Sequence, residues 1–151
     1  MEFTEYDTRL AAYALIVVDD RILLTWFVGG EHSPACWSMP GGGVEYEESL
    51  QQAVVREVLE ETGYTVEVGR PLATDHFTKP TSRRGSRPYK SVRVIFAAEV
   101  TGGSLGTIEV GGTTAFARWA PLVEAWSLAP RADIVDVALA SILPENKNKQ
   151  A

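Results

Sequence analysis

The chain has 151 residues, 45% hydrophobic and 23% charged, with a formal net charge of −6 and a pI near 4.9. This is the size and balance of one soluble domain with room for a real core. The acidic balance excludes bulk binding of nucleic acid or of anionic membranes. The single cysteine, Cys36, rules out an intramolecular disulfide, and neither a basic-then-apolar leader nor a long apolar run is present. The expected location is the cytoplasm.

In chain order, residues 1–8 are polar and expected to fray. Ala11 to Val18 and Ile22 to Val28 are apolar runs around Asp19-Asp20, which predicts a β-hairpin. Residues 29–35 read as a loop, and Trp37 to Met39 as a short strand ended by Pro40 and three glycines. Ser49 and Gln52 fit a capping box that starts a helix near Leu50, and Gly63 fits its end. Tyr64 to Val68 and Leu72 to Phe77 are short strand candidates, with a loop from Lys79 to Pro88. Ser91 to Val100 and Thr114 to Trp119 read as strands, with a turn at Gly102-Gly103. After Pro130 an amphipathic helix runs through Ile142 and ends at Pro144. One domain over 1–144 and a polar, disordered tail over 145–151 are expected. The fold class is α+β with a mixed sheet.

The chemistry concentrates in the helix predicted after Leu50. At about 100° per residue, Glu57, Glu60 and Glu61 share one arc of about 100°, beside an apolar arc of Val54, Val55, Val58 and Leu59. Like charges so spaced repel unless something positive lies against them. Carboxylates without cysteine or histidine nearby are hard oxygen ligands suited to Mg²⁺, which binds through a few carboxylates together with substrate phosphates. Gly42, Glu48, Arg56, Glu57, Val58, Glu60, Glu61, Gly63 and Tyr64 reproduce the spacing G-x5-E-x7-R-E-U-x-E-E-x-G-U, where U is a bulky aliphatic residue. This segment resembles the signature of the Nudix hydrolase family. Only Tyr64 departs from it, being aromatic.

That resemblance implies an α/β/α sandwich carrying a loop–helix–loop catalytic box, with Mg²⁺ or Mn²⁺ as cofactor. It implies Glu57 and Glu61 as direct metal ligands, Glu60 holding a second ion or the attacking water, and Glu48 joining from the loop. The Gly42 carbonyl is a further implied ligand, and Arg56 orients the carboxylates. Clustered glutamates raise one another's pKa, so one of them serves as general base, with Glu60 favoured. Gly41, Gly42 and Gly43 permit positive φ and close approach of the backbone. Resemblance also asks for an acid before the last strand: Glu109 is the candidate, with Glu99 second.

Arg83, Arg84, Arg87 and Lys90 are the basic cluster of an acidic chain and candidates to clamp distal phosphates, with Tyr89 beside them. Trp26, Phe27, Trp37 and Tyr89 are stacking candidates, although Trp37 reads better as core. The expected activity is Mg²⁺-dependent hydrolysis of a diphosphate linkage in a nucleoside diphosphate linked to another moiety: a nucleoside triphosphate, nucleotide sugar or dinucleotide. The partner is a small nucleotide, and a homodimer is expected from resemblance. The rivals are a non-catalytic nucleotide sensor, an RNA 5′-end pyrophosphohydrolase and an isoprenoid-diphosphate isomerase. The isomerase needs a cysteine in another context than that of Cys36.

Overall fold

The structure is a computed structural model that describes residues 1–143; Pro144 and the expected tail lie outside the described residues. In chain order it contains β1 (Asp7–Leu15), β2 (Val17–Val18), β3 (Arg21–Phe27), β4 (Cys36–Ser38), β5 (Gly41–Gly43), α1 (Leu50–Thr62), β6 (Tyr64–Lys79), β7 (Tyr89–Gly103), β8 (Thr114–Pro121), a 3₁₀ helix (Leu122–Ser127) and α2 (Asp133–Ile142). One sheet runs β5-β1-β7-β6, with β1 and β7 parallel; β3 organises the other, pairing with β2, β4 and β8. No helix among the described residues is long and apolar enough to cross a membrane.

Strand alternation builds the layers. On β1, Ala12, Ala14 and Ile16 beyond its end join the cluster that covers α1, whereas Leu15 joins the cluster that covers α2. Leu23 and Leu24 on β3, and Ile95 and Phe96 on β7, divide the same way. Successive side chains of a strand point to opposite faces, so each pair supplies one residue to each core. Ala53, Val54 and Val58 bring α1 onto one face, and Ile134, Val135, Ala138 and Leu139 bring α2 onto the other. Each fully buried aliphatic side chain contributes about 1.5–3 kcal/mol before chain entropy is counted. The result is the expected α+β sandwich.

Several local expectations change. The strand expected from Ala11 begins at Asp7, because β1 pairs with β7 along its whole length, from Asp7↔Tyr89 to Leu15↔Ala97. Asp19 and Asp20 do make the hairpin turn, with φ of 49° and 59°, as a two-residue turn of the primed type requires. The arms, however, are only Val17–Val18 and the start of β3. Gly41 to Gly43 do not merely end a strand: they form β5, antiparallel to Ala11–Tyr13. The two short strands expected after the helix are one strand, β6, bent by irregularities at Thr65/Val66 and around Pro71. Pro71 donates no backbone hydrogen bond, which interrupts the ladder without ending it. Gly102 and Gly103 close β7 opposite Thr65 and Tyr64.

Candidate active site

Both ends of α1 are fixed by its own sequence. Ser49 Oγ accepts from the Gln52 N–H at 3.1 Å, and Gln52 Oε1 accepts from the Ser49 N–H at 2.8 Å. Gly63, at φ 81°, ends the helix and donates to the Leu59 carbonyl at 3.0 Å, in the left-handed conformation that glycine adopts without cost. With the ends set, Val54 and Val58 point into the core and the carboxylates of the next arc reach the edge where β5 runs. The apolar arc is narrower than expected: Val55 and Leu59 are 39% and 37% exposed.

The carboxylates that the spacing groups together take up distinct positions. Glu61 is buried, and accepts from the Gly41 N–H and from Thr114 Oγ1, each at 3.1 Å. Burial pushes its carboxyl up to about 8, the Glu57 charge adds to that, and the two hydrogen bonds oppose it. Glu57 lies against β5 so closely that a Cβ on Gly42 would come within 2.7 Å of Glu57 Oε1. Burial raises its carboxyl as well; Arg56 opposes this, while the charges of Glu60 and Glu109 reinforce it. Glu60 stands at the solvent edge, its side chain 36% exposed.

Arg56 ties the cluster together. Its Nε and Nη2 donate to both oxygens of Glu48 at 2.5 and 2.9 Å, its Nη1 reaches Glu57 at 3.0 Å and Glu60 at 3.4 Å, and its Nη2 also donates to the Gly43 carbonyl at 3.1 Å. The i,i+4 contact with Glu60 is the longest of these, and Glu48 is the main partner. Through this fork Arg56 holds the Glu48 carboxyl down at about 2, and the carboxylates in turn hold the guanidinium protonated.

Glu109 lies in the loop between β7 and β8. Its charge acts on both Glu57 and Glu61. Its carboxylate folds back over Gly112, where a Cβ would lie 2.1 Å from Glu109 Oε2. Glu99 instead sits in β7 opposite Glu67. The donor chemistry fits a divalent cation: hard carboxylate oxygens along one flank of α1, Glu57 packed against Gly42, and Arg56 braced among them. Among the described residues no three acidic, histidine or cysteine side chains close around one point; Arg56 holds Glu48, Glu57 and Glu60 while Glu61 turns to the backbone. The glycines serve the site by space as much as by dihedral. Gly41 alone of the three has positive φ, at 140°.

The basic cluster divides. Arg87 pairs with Asp7 at 3.3 Å and donates to the Thr4 carbonyl at 2.5 Å. Arg83 and Arg84 lie exposed in the turn between β6 and β7. Lys90 is half-buried in β7 between Thr8 and Thr78, and Tyr89 packs on Phe77 with centroids 6.1 Å apart. Trp37 is core as expected, edge-on to Trp26 and Phe116 with the Arg118 guanidinium 4.8 Å from its ring centre. Cys36 is half-buried, and burial raises its thiol.

Two side chains of the site, and one buried ion pair away from it, escaped the sequence. Thr114 holds Glu61 from a strand 53 residues away, and nothing in its local context announces that. The Arg9 guanidinium lies 3.6 Å from where a Gly43 Cβ would stand. Arg93 is buried between Asp75 and Asp133 and over the Phe77 ring. A lone arginine inside an apolar strand was the available signal.

A short helix presenting glutamates across a glycine strand, between two sheets sandwiched by helices, defines a Nudix-type domain. The NUDIX domain model matches residues 7–139, and the chain belongs to that family. The chain is 34% identical over 98 residues to an ADP-ribose pyrophosphatase of Methanocaldococcus jannaschii, covering 64% of this chain and 53% of that protein. It is 39% identical over 61 residues to a CTP pyrophosphohydrolase of Escherichia coli, covering 40% and 45%. Among solved structures, a MutT NUDIX hydrolase from Burkholderia pseudomallei superposes with a TM-score of 0.74 at 26% identity, covering 90% of this chain and 98% of that one. The chain spans about half the length of these curated relatives.

Proposed function

We propose that the protein is a Mg²⁺- or Mn²⁺-dependent pyrophosphohydrolase acting on a small nucleoside diphosphate linked to a second moiety, with release of a nucleoside monophosphate. The observation that carries this reading is the bracing of Glu48, Glu57 and Glu60 by Arg56 beside the glycine strand β5, with Glu57 packed against Gly42 and Glu61 held by the Gly41 N–H. The relatives named above act on ADP-ribose and CTP, both of this chemical class. A half-buried lone cysteine suits the cytoplasm, where such substrates occur.

In this reading Glu57, Glu61, Glu109 and the Gly42 carbonyl hold the cation, and Glu48 serves through its fork on Arg56. A bound divalent cation supplies a water of lowered pKa and neutralises charge that develops on the phosphoryl oxygens. Arg56 keeps Glu57 and Glu60 pointed to the same side. Glu60, at the solvent edge, accepts the proton of the attacking water. Arg83 and Arg84, exposed at the β6–β7 turn, meet distal phosphates. The test is a panel of nucleoside triphosphates, nucleotide sugars and dinucleotides with product identification, run beside Glu57→Gln. Release of a monophosphate by the parent protein and a loss of at least 10²-fold in kcat for the variant, with an unchanged circular dichroism spectrum, are expected on the scale of one lost charge-stabilising group. Turnover retained by Glu57→Gln at the parent rate ends the assignment.

A further inference from the structure

The last four carbonyls of a helix have no partner inside it and are usually left to water. In α1 only the first of them, Leu59, is met by the cap residue, through the Gly63 N–H at 3.0 Å. The other three are met by a segment more than forty residues later in the chain. Gly106 N–H donates to the Thr62 carbonyl at 2.9 Å, and Thr107 Oγ1 donates to the Glu61 carbonyl at 2.7 Å. The Ile108 and Glu109 N–H groups both donate to the Glu60 carbonyl, at 2.8 and 3.0 Å.

Strand pairing brings this segment there. β7 ends at Gly103 opposite Tyr64, the residue that follows the helix cap. Gly63 leaves space for the approach, since a Cβ on it would stand 2.2 Å from the Ser104 carbonyl oxygen and 2.5 Å from that of Gly106. The segment contributes little apolar burial of its own: Ile108 is 58% exposed and Val110 98%. Its placement therefore rests on these hydrogen bonds, of which Thr107 supplies the single side-chain one. Downstream, Gly112 gives the Glu109 carboxylate its seat. The backbone of Gly112 lies outside the left-handed region, so glycine is required there for room and not for its dihedral angle.

We propose that residues 106–109 are a clasp on the C-terminal end of α1, and that Thr107 and Gly112 are positioning residues that deliver the Glu109 carboxylate to Glu57 and Glu61. The clasp makes one unit of two chemical parts. The backbone atoms that orient Glu60 and Glu61 on the helix also fix Glu109, so the acids keep their mutual geometry when the surrounding loop moves. This inference rests on the proposed pyrophosphohydrolase reading only for its kinetic readout.

The experiment compares the parent with Thr107→Val, Thr107→Ser and Gly112→Ala by steady-state kinetics with Mg²⁺, by amide hydrogen exchange, and by calorimetric titration with Mn²⁺. Thr107→Val keeps the shape and removes the donor. The expected result is at least a tenfold fall in kcat with KM within twofold, at least tenfold faster exchange of the Ile108 and Glu109 amides, and recovery of both in Thr107→Ser. Gly112→Ala is expected to leave those amides protected while lowering kcat and weakening Mn²⁺ binding, because it displaces the carboxylate and not the clasp. Parent-like exchange in Thr107→Val, or a Thr107→Ser variant no better than Thr107→Val, overturns the proposal even if the enzyme is active. If the parent hydrolyses no nucleotide, the functional reading falls, and amide exchange and Mn²⁺ binding alone decide the clasp.

Discussion

Glu57 occupies the space that a side chain at Gly42 would need: a Cβ there would lie 2.7 Å from Glu57 Oε1 and 2.9 Å from its Cδ. Gly42 itself has no left-handed dihedral. Its lack of a side chain is thus a condition on the carboxylate and not on the turn. The leading glycine of the signature segment and its central glutamate are coupled through volume.

Gly42→Ala should therefore damage activity with little effect on folding. The backbone accepts alanine, and the Glu57 side chain must swing away from β5. A loss of at least tenfold in kcat, weaker Mn²⁺ binding by calorimetry and a melting temperature within a few degrees of the parent are expected. Normal kinetics in this variant would show that Glu57 does not act from its position against β5.

Arg56→Lys should lower kcat while leaving the helix in place. Lysine carries the charge but has no planar fork, so it cannot hold both Glu48 oxygens and also reach Glu57, Glu60 and the Gly43 carbonyl. The expected fall is about 10- to 100-fold, the usual loss when a group orienting metal ligands is removed. Steady-state kinetics on the best substrate of the panel, with helicity measured alongside, checks it.

The metal-free protein should lose stability as pH rises. Glu61 keeps its proton up to about pH 8 when folded, whereas an unfolded glutamate releases it near the ordinary value of about 4.3. Between those values the folded state binds more protons, and stability falls with rising pH wherever that holds. Glu57, raised by burial, acts with the same sign. Thermal melts in chelator should show a lower midpoint at pH 8 than at pH 5, a flatter dependence in Glu61→Gln, and a larger gain on adding Mg²⁺ at pH 8. A midpoint that climbs across this window in the metal-free parent would contradict the burial of Glu61.

Arg93→Ala should destabilise the fold by about 2–4 kcal/mol, below the roughly 3–5 kcal/mol for breaking a fully buried ion pair, because the Asp75 and Asp133 side chains are 25% and 70% exposed. Arg93 is 5% exposed, donates to Asp75, and reaches Asp133 at 2.9 Å at the start of α2. Asp133→Asn should cost under about 1 kcal/mol, because the Asp133 side chain is 70% exposed and that arm is screened by water. Urea denaturation of both variants separates the two arms. Equal losses would mean that the Asp133 contact matters more than its exposure allows.

The parts of the site that lie within one stretch of chain are legible in the amino-acid sequence. Ser49, Gln52 and Gly63 announce the ends of α1 through local hydrogen bonds, and the spacing of Arg56, Glu57, Glu60 and Glu61 sets their arc by helical geometry alone. These are short-range effects, and the structure reproduces them. Residues 41–43 mark the boundary of such reading. Three glycines look like a turn, and only the free edge of β1 makes them a strand.

The helix, its caps and its charge pattern follow from the order of residues along the chain, because each depends on neighbours within four positions. Which glutamate is buried is a matter of long-range packing, since Thr114 and the Gly41 amide choose Glu61 over Glu60. The arrival of the Glu109 backbone at the Glu60 carbonyl is another, because β7 must pair with β6 before residues 106–109 can reach the end of α1. Burial and strand partnership depend on contacts far apart in the chain, and alternation of apolar residues does not encode which strand lies alongside.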